Sequence, residues 1–319
     1  MAVENRKAFK RILCPLDFVA DSDEALRYAI ALARTYGAKL YVCHCMEAPD
    51  FYDQDKRIKA FTALYAAVGR HILPGRSETL DWEPLVLKGD PTAEIPRQCA
   101  KHMIDLLVMR SRRKSGLAGA LGSTAEALVR TSPCSVLVTG PNEREFAGKT
   151  TNLLDPRRIL VAYDFTPEAE DALSLGISFA RQFHSALYLM HVLRYATVKG
   201  VGPIDPAEPD LKILAGRLSD AVPAGTDASL KIDQLFAEGD AAKEILHYAD
   251  AHPIDLICMG AVDDDSLLYK LLGSTANRVL RGAPCPVLIA RHAPALGIVS
   301  SAALHRRESV AADGAARAS

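Results

Sequence analysis

The chain has 319 residues, enough for two domains at the roughly 100–200 residues usual for one. Hydrophobic residues make up 49% and charged residues 24%, an ordinary globular balance that argues against wholesale disorder and fibrous repeats. With 38 Lys and Arg against 39 Asp and Glu the formal charge is −1, which argues against a dedicated nucleic-acid partner. Apolar runs such as residues 256–262 fall far short of the ~18 residues a membrane span needs. Residues 1–7 carry charge with no apolar stretch behind them, so a cytoplasmic protein without a secretory signal is expected.

In chain order, Ile12-Leu13, residues 40–46, Leu85-Val86-Leu87, residues 104–109 and residues 135–138 are short apolar runs of strand length. Leu26, Ala29, Ile30 and Ala33 fall on one helical face between the first two runs. Residues 47–55 read as an irregular connection after the second strand. Gly89-Asp90 reads as a strand-to-helix turn. Ser123-Thr124-Ala125-Glu126 matches a capping box, which leaves Ser123 either a cap or a ligand contact. Polar residues 141–156 read as a linker, after which the series begins again. Thr166-Pro167-Glu168 opens a helix whose apolar face is Leu173, Gly176, Ile177 and Ala180. Residues 195–209, rich in Gly and Pro, form a long connection in the second series, and the composition from Ala293 onward predicts a disordered tail.

The second series copies the first. Arg11–Phe18 matches Arg158–Phe165 at an offset of 147, and Ile104-Asp105-Leu106 matches Ile254-Asp255-Leu256 at 150. Leu121–Thr124 matches Leu272–Thr275 at 151, so only small length changes separate the matched blocks. Two homologous units follow, 9–142 and 157–292, joined by 143–156 and trailed by 293–319. Strands alternating with helices predict an α/β fold, each unit a doubly wound five-stranded parallel sheet. The last strands, residues 135–138 and 287–289, are candidates to pair with each other and make an internal pseudo-dimer.

Seven cysteines with no Cys-x-x-Cys read as reduced, buried thiols. Cys43-His44-Cys45 has metal-ligand residue types, but on a strand its cysteines and histidine face opposite sides. Ligands of open parallel sheets gather at the carboxyl ends of the strands, where strand order reverses. The residues expected there are Asp17, Cys45 and the segment from Arg110 to Ser123 in the first unit. In the second they are Asp164, Val192 and the segment from Gly260 to Ser274.

The order of these features, duplicated, resembles the universal stress protein family and in particular its tandem members. The resemblance rests on Asp17 and Asp164, His44 and His191, Gly89 and Gly239, and the Gly-Ser-Thr at 122–124 and 273–275. The closing strands that begin Pro133-Cys134 and Pro284-Cys285 complete it. It implies a stress-response protein that binds ATP or AMP, with Mg²⁺ as an accompanying ion, or a non-catalytic scaffold whose sites have degenerated. The nucleotide-binding members carry Gly-2x-Gly-9x-Gly-Ser/Thr after the fourth strand. The second unit keeps Gly260, Gly273 and Ser274 at that spacing but has Asp263 for the middle glycine. The first keeps Gly122 and Ser123, has Arg110 and Arg113 for the other two, and its spacer is eight residues long. The second unit is therefore the expected site. The acidic Asp263-Asp264-Asp265 would oppose phosphate, two like charges ~4 Å apart repelling by about 4 kcal/mol at an effective dielectric of 20. In the first unit the arginines would keep attraction while losing the backbone cradle. Attraction between the basic loop at 110–114 and this acidic loop would tune the orientation of the units. Glycine-flanked nucleophiles, zinc-protease motifs and Walker-type phosphate loops are missing, so ATP hydrolysis is expected to be slow at most. A further homodimer stays open at this stage.

Overall fold

The computed structural model describes residues 9–18, 23–71, 80–111, 122–140, 144, 146, 154–193, 208–224, 226, 229–261 and 272–291. Ten strands and nine helices are formed by these residues. The first half contains β1 (Arg11–Pro15), α1 (Asp23–Tyr36), β2 (Lys39–Met46), α2 (Ala48–Tyr52), α3 (Gln54–Gly69), β3 (Trp82–Lys88), α4 (Pro91–Lys101), β4 (Leu106–Arg110), α5 (Ser123–Thr131) and β5 (Ser135–Thr139). The second contains β6 (Arg158–Ala162), α6 (Pro167–Phe183), β7 (Ala186–Leu193), α7 (Glu208–Ala221), β8 (Ile232–Glu238), α8 (Ala241–Ala251), β9 (Leu256–Gly260), α9 (Ser274–Gly282) and β10 (Val287–Ala290).

Each half is a parallel sheet in which the first strand lies between the second and the fourth, the reversal that defines a doubly wound sheet. The two sheets join edge to edge. β5 and β10 pair antiparallel, with Val138 opposite Val287, Leu137 opposite Leu288 and Val136 opposite Ile289. One ten-stranded sheet results, with β3 and β8 at its outer edges. Side chains alternate across it as the two-residue period requires. Ile12 and Cys14 of β1 belong to the apolar layer that holds residues of α1, α3, α6 and α7 on one face, and Leu13 to the layer that holds residues of α4, α5, α8 and α9 on the other. Both apolar layers draw on both halves. Phe9 meets Phe179 at 5.9 Å and Tyr36 at 5.3 Å between ring centroids, which ties α1 to α6.

The repeated Ile-Asp-Leu block has a mechanical role in both halves. Buried Asp105 accepts the amides of Lys10 and Arg11, both at 2.8 Å, as the chain enters β1. Asp255 accepts those of Arg157 and Arg158 at 2.7 and 2.9 Å before β6. Amides left over at the start of each central strand are thus satisfied by a carboxylate from the loop before the fourth strand.

Three local expectations are corrected. Residues 47–55 hold α2 and the start of α3 rather than an irregular connection. Proline suits the first turn of a helix, as Pro49 does in α2, and Asp53 caps α3 through the Lys56 amide at 3.1 Å. Ser123 is the first residue of α5 and not its cap; Gly122 takes the cap position without a side-chain bond. Parts of 141–156 are docked: Phe146 is buried against Tyr28 at 4.8 Å, and its amide donates to the Tyr28 hydroxyl at 3.0 Å. Residues 195–207, the loops bearing Arg113 and Asp263–Asp265, and the tail from 293 lie outside the described residues, as does the expected attraction between those loops. Among the described residues no helix is long and apolar enough to cross a membrane.

Candidate functional site

The Asp that follows the first strand is held alike in both halves. His44 Nδ1 lies 2.8 Å from the Leu16 carbonyl, and His191 Nδ1 lies 2.8 Å from that of Tyr163. A carbonyl only accepts, so each ring carries a proton on Nδ1. The next aromatic, Phe18 or Phe165, lies against that imidazole at 4.3 or 4.8 Å. Both phenylalanines adopt left-handed backbone, with φ of 56° and 64°. Such a conformation is rare for a bulky residue and persists where surrounding contacts over-determine it. Asp17 and Asp164, both exposed, are thereby fixed at the strand tips. The histidines are packing residues of this turn.

Beyond Asp164 the halves differ. In the second, Asp164 Oδ1 accepts from the Thr166 hydroxyl at 2.6 Å, and Thr166 caps α6 through the Ala169 amide at 3.3 Å. The first turn of α6 then sits directly on the end of β9. A Cβ at Gly260 would lie 2.4 Å from the carbonyl carbon and oxygen of Glu168 and 2.8 Å from the Ala169 nitrogen. Glycine is needed there for the helix to approach the strand.

A cavity of about 540 Å³ opens above this contact. Asp164, Val192, Gly260, Gly273 and Ser274, the five residues expected in the second half, all line it. Tyr163, Thr166, Glu168 and His191 add polar groups, and Met190, Met259 and Ile245 an apolar floor, none of which the sequence reading placed there. The one available signal was the position of Glu168 in the first turn after the strand-tip Asp. Burial foremost pushes the Tyr163 hydroxyl up to about 12, so it stays protonated. Three helices begin at the cavity. Thr166 caps α6, and Asp240 caps α8 through the Lys243 amide at 2.9 Å. Helix α9 starts at Gly273 with no side-chain cap, and its first residues Ser274, Thr275 and Ala276 line the space. Amides in a first turn have no partner within the helix and carry its positive end.

Asp240 also pairs with Arg278 of α9 at 2.6 Å, clasping two of these helices. The Arg278 hydrogen bond first, and then the Lys243 amide, lower its carboxyl from 3.8 to about 2. A folded value below the unfolded one stabilises above the unfolded value, and that contribution is lost as pH falls through the folded one. Asp240→Asn is therefore expected to remove the part of acid destabilisation lying between about pH 4 and 2. Acid titrations of the folded fraction in fixed urea should show it; curves that differ only by a constant offset would contradict it.

In the first half Arg110 stands where Gly260 stands in the second, and its guanidinium is engaged by Glu24 of α1. Gly122 and Ser123 open α5 as Gly273 and Ser274 open α9. Cys45 is half-buried, and burial first, then the Glu94 and Asp90 carboxylates, push its thiol up to about 12, far from a reactive thiolate. All seven cysteines are free. Among the described residues no group of three or more His, Cys, Asp or Glu is arranged to hold a metal.

Comparison with known proteins agrees with the duplicated architecture. The sequence profile of the universal stress protein family matches residues 8–140 and again 156–291. A universal stress protein of Methanocaldococcus jannaschii is 27% identical over 146 residues, covering 42% of this chain and 82% of the relative. One from Thermus aquaticus is 30% identical over 141 residues, covering 42% of this chain and 98% of the relative. Among solved structures, a universal stress protein from Archaeoglobus fulgidus aligns with a TM-score of 0.63 at 21% identity, over 88% of this chain and 98% of its own, a likeness of fold. With the profile matched twice across a sheet built twice, the chain belongs to the universal stress protein family.

Proposed function

We propose that this chain is a stress-response regulator that binds one adenine nucleotide, ATP or AMP, in its second half. Asp164, Val192, Gly260, Gly273 and Ser274 hold the ligand, and the units 9–142 and 157–292 act as an internal pseudo-dimer in the cytoplasm. The observation that carries the reading is that these five residues, far apart in sequence, line one cavity at the strand-order reversal. Its apolar floor suits a base, and the uncapped start of α9 suits a phosphate. Mg²⁺ arrives with the nucleotide; Asp164 and Glu168 are oxygen donors of the kind it prefers.

The first half contributes packing and surface rather than a second site. At Arg110 an ion pair with Glu24 occupies the place where Gly260 lets α6 approach. One ligand per chain is therefore expected. Mass spectrometry of protein purified without added nucleotide is expected to find co-purified ATP or AMP, and titration calorimetry to give a stoichiometry near one. Gly273→Arg is expected to abolish that binding. Unchanged affinity in the variant, or two ligands per chain, would move the site elsewhere.

A further inference from the structure

The charges around the cavity point to a narrower ligand class than adenine nucleotides at large. Resting on the nucleotide reading above, we propose that the cavity of the second half accepts a nucleoside with at most one phosphate. A polyphosphate is rejected unless it arrives complexed with a divalent cation, and Glu168 is the residue that sets this limit.

No lysine or arginine is among the described residues lining the cavity. Asp164 and Glu168 both line it, and neither carboxylate has a cationic partner among the described residues. The cations close by have partners of their own. Arg217 lies over the Phe165 ring at 4.1 Å, and Arg278 is held by Asp240 at 2.6 Å. Among the described groups the strongest pull on an anion is then the uncapped start of α9, worth roughly half a unit of positive charge. Thr166 and Asp240 already use amides at the starts of α6 and α8. A single phosphate on α9 is within what that end can balance. Additional phosphates would have to lie within the same cavity, beside Glu168. The Glu168 backbone is the surface on which Gly260 rests, so the first turn of α6 cannot retreat without breaking the contact with β9. A divalent cation bound to a polyphosphate would neutralise the excess charge and give the two carboxylates a partner.

Calorimetric titration of the full chain with adenosine, AMP, ATP in chelator and ATP with Mg²⁺ tests the proposal. Metal-free ATP is expected to bind at least about tenfold more weakly than AMP, a difference of about 1.4 kcal/mol. Mg²⁺ is expected to close most of that gap. Glu168→Gln keeps the side chain's size and is expected to strengthen metal-free ATP binding about tenfold while moving AMP less than about threefold. Metal-free ATP binding as tightly as AMP in the wild-type chain overturns the proposal without recourse to a variant. So does a Glu168→Gln protein that shifts all ligands alike. In both cases the nucleotide reading would stand, whereas failure of all four ligands to bind would overturn that reading as well.

Discussion

Gly260→Ala is expected to destabilise the chain by about 3 kcal/mol and to abolish nucleotide binding, at the upper end of what one added methyl group costs. The reason lies in what the methyl would meet. At Gly176 of α6 an added Cβ would come within 2.6 Å of a Val161 methyl, a side-chain rather than a backbone atom. At Gly260 it would come within 2.4 Å of two backbone atoms of Glu168, and only a shift of the first turn of α6 relieves the overlap. That turn carries the Thr166 cap and its bond to Asp164, so the overlap disturbs the strand-tip carboxylate and the cavity together. Urea denaturation and calorimetry on the same preparation check both effects, with Gly176→Ala as the milder comparison. Unaltered stability and affinity in Gly260→Ala would mean that α6 does not rest on β9 there.

Gly260 also illustrates how far the sequence could be read. The glycine spacing identified the position, and the family resemblance attached a phosphate-cradling role to it. The contact that excludes a side chain there is with the α6 backbone, which no local pattern discloses. The strands and their duplication were legible because buried parallel strands leave continuous apolar runs and because each block occurs twice. The strand-tip aspartates were legible because sheet topology places ligands there. Glu168 escaped notice because a carboxylate in a first helical turn is ordinary in sequence, and only the cavity makes it a specificity residue. Ser123 was ambiguous because a capping box and a glycine cap share the same letters. The joining segment read as a polar linker because Phe146, its anchor, is a single aromatic among charged residues.

Arg291→Met is expected to cost about 3 kcal/mol, the worth of one to two charge-assisted hydrogen bonds lost from a buried site. Arg291 follows β10 directly and is 5% exposed. Its Nη2 donates to the carbonyls of Val129 and Arg130 at 2.9 and 3.1 Å, in the last turn of α5. Its own amide donates to the Ser135 hydroxyl at 3.2 Å. A cation from the second half thus satisfies the negative end of a helix in the first. Arg144 of the joining segment does the same for the second half, donating to the carbonyls of Ala249 at the end of α8 and, at 3.4 Å, of His252 just beyond it. These two arginines flank the β5–β10 pairing and join the halves by charge where the sheet joins them by backbone. Methionine keeps the apolar bulk of the Arg291 stem but leaves two helix carbonyls without their donor. Arg291→Lys, which restores the cation, is expected to recover part of the loss. Urea denaturation of the three proteins measures it, and a methionine variant within about 0.5 kcal/mol of wild type, the range of an indifferent surface substitution, would show that the seam holds without this contact.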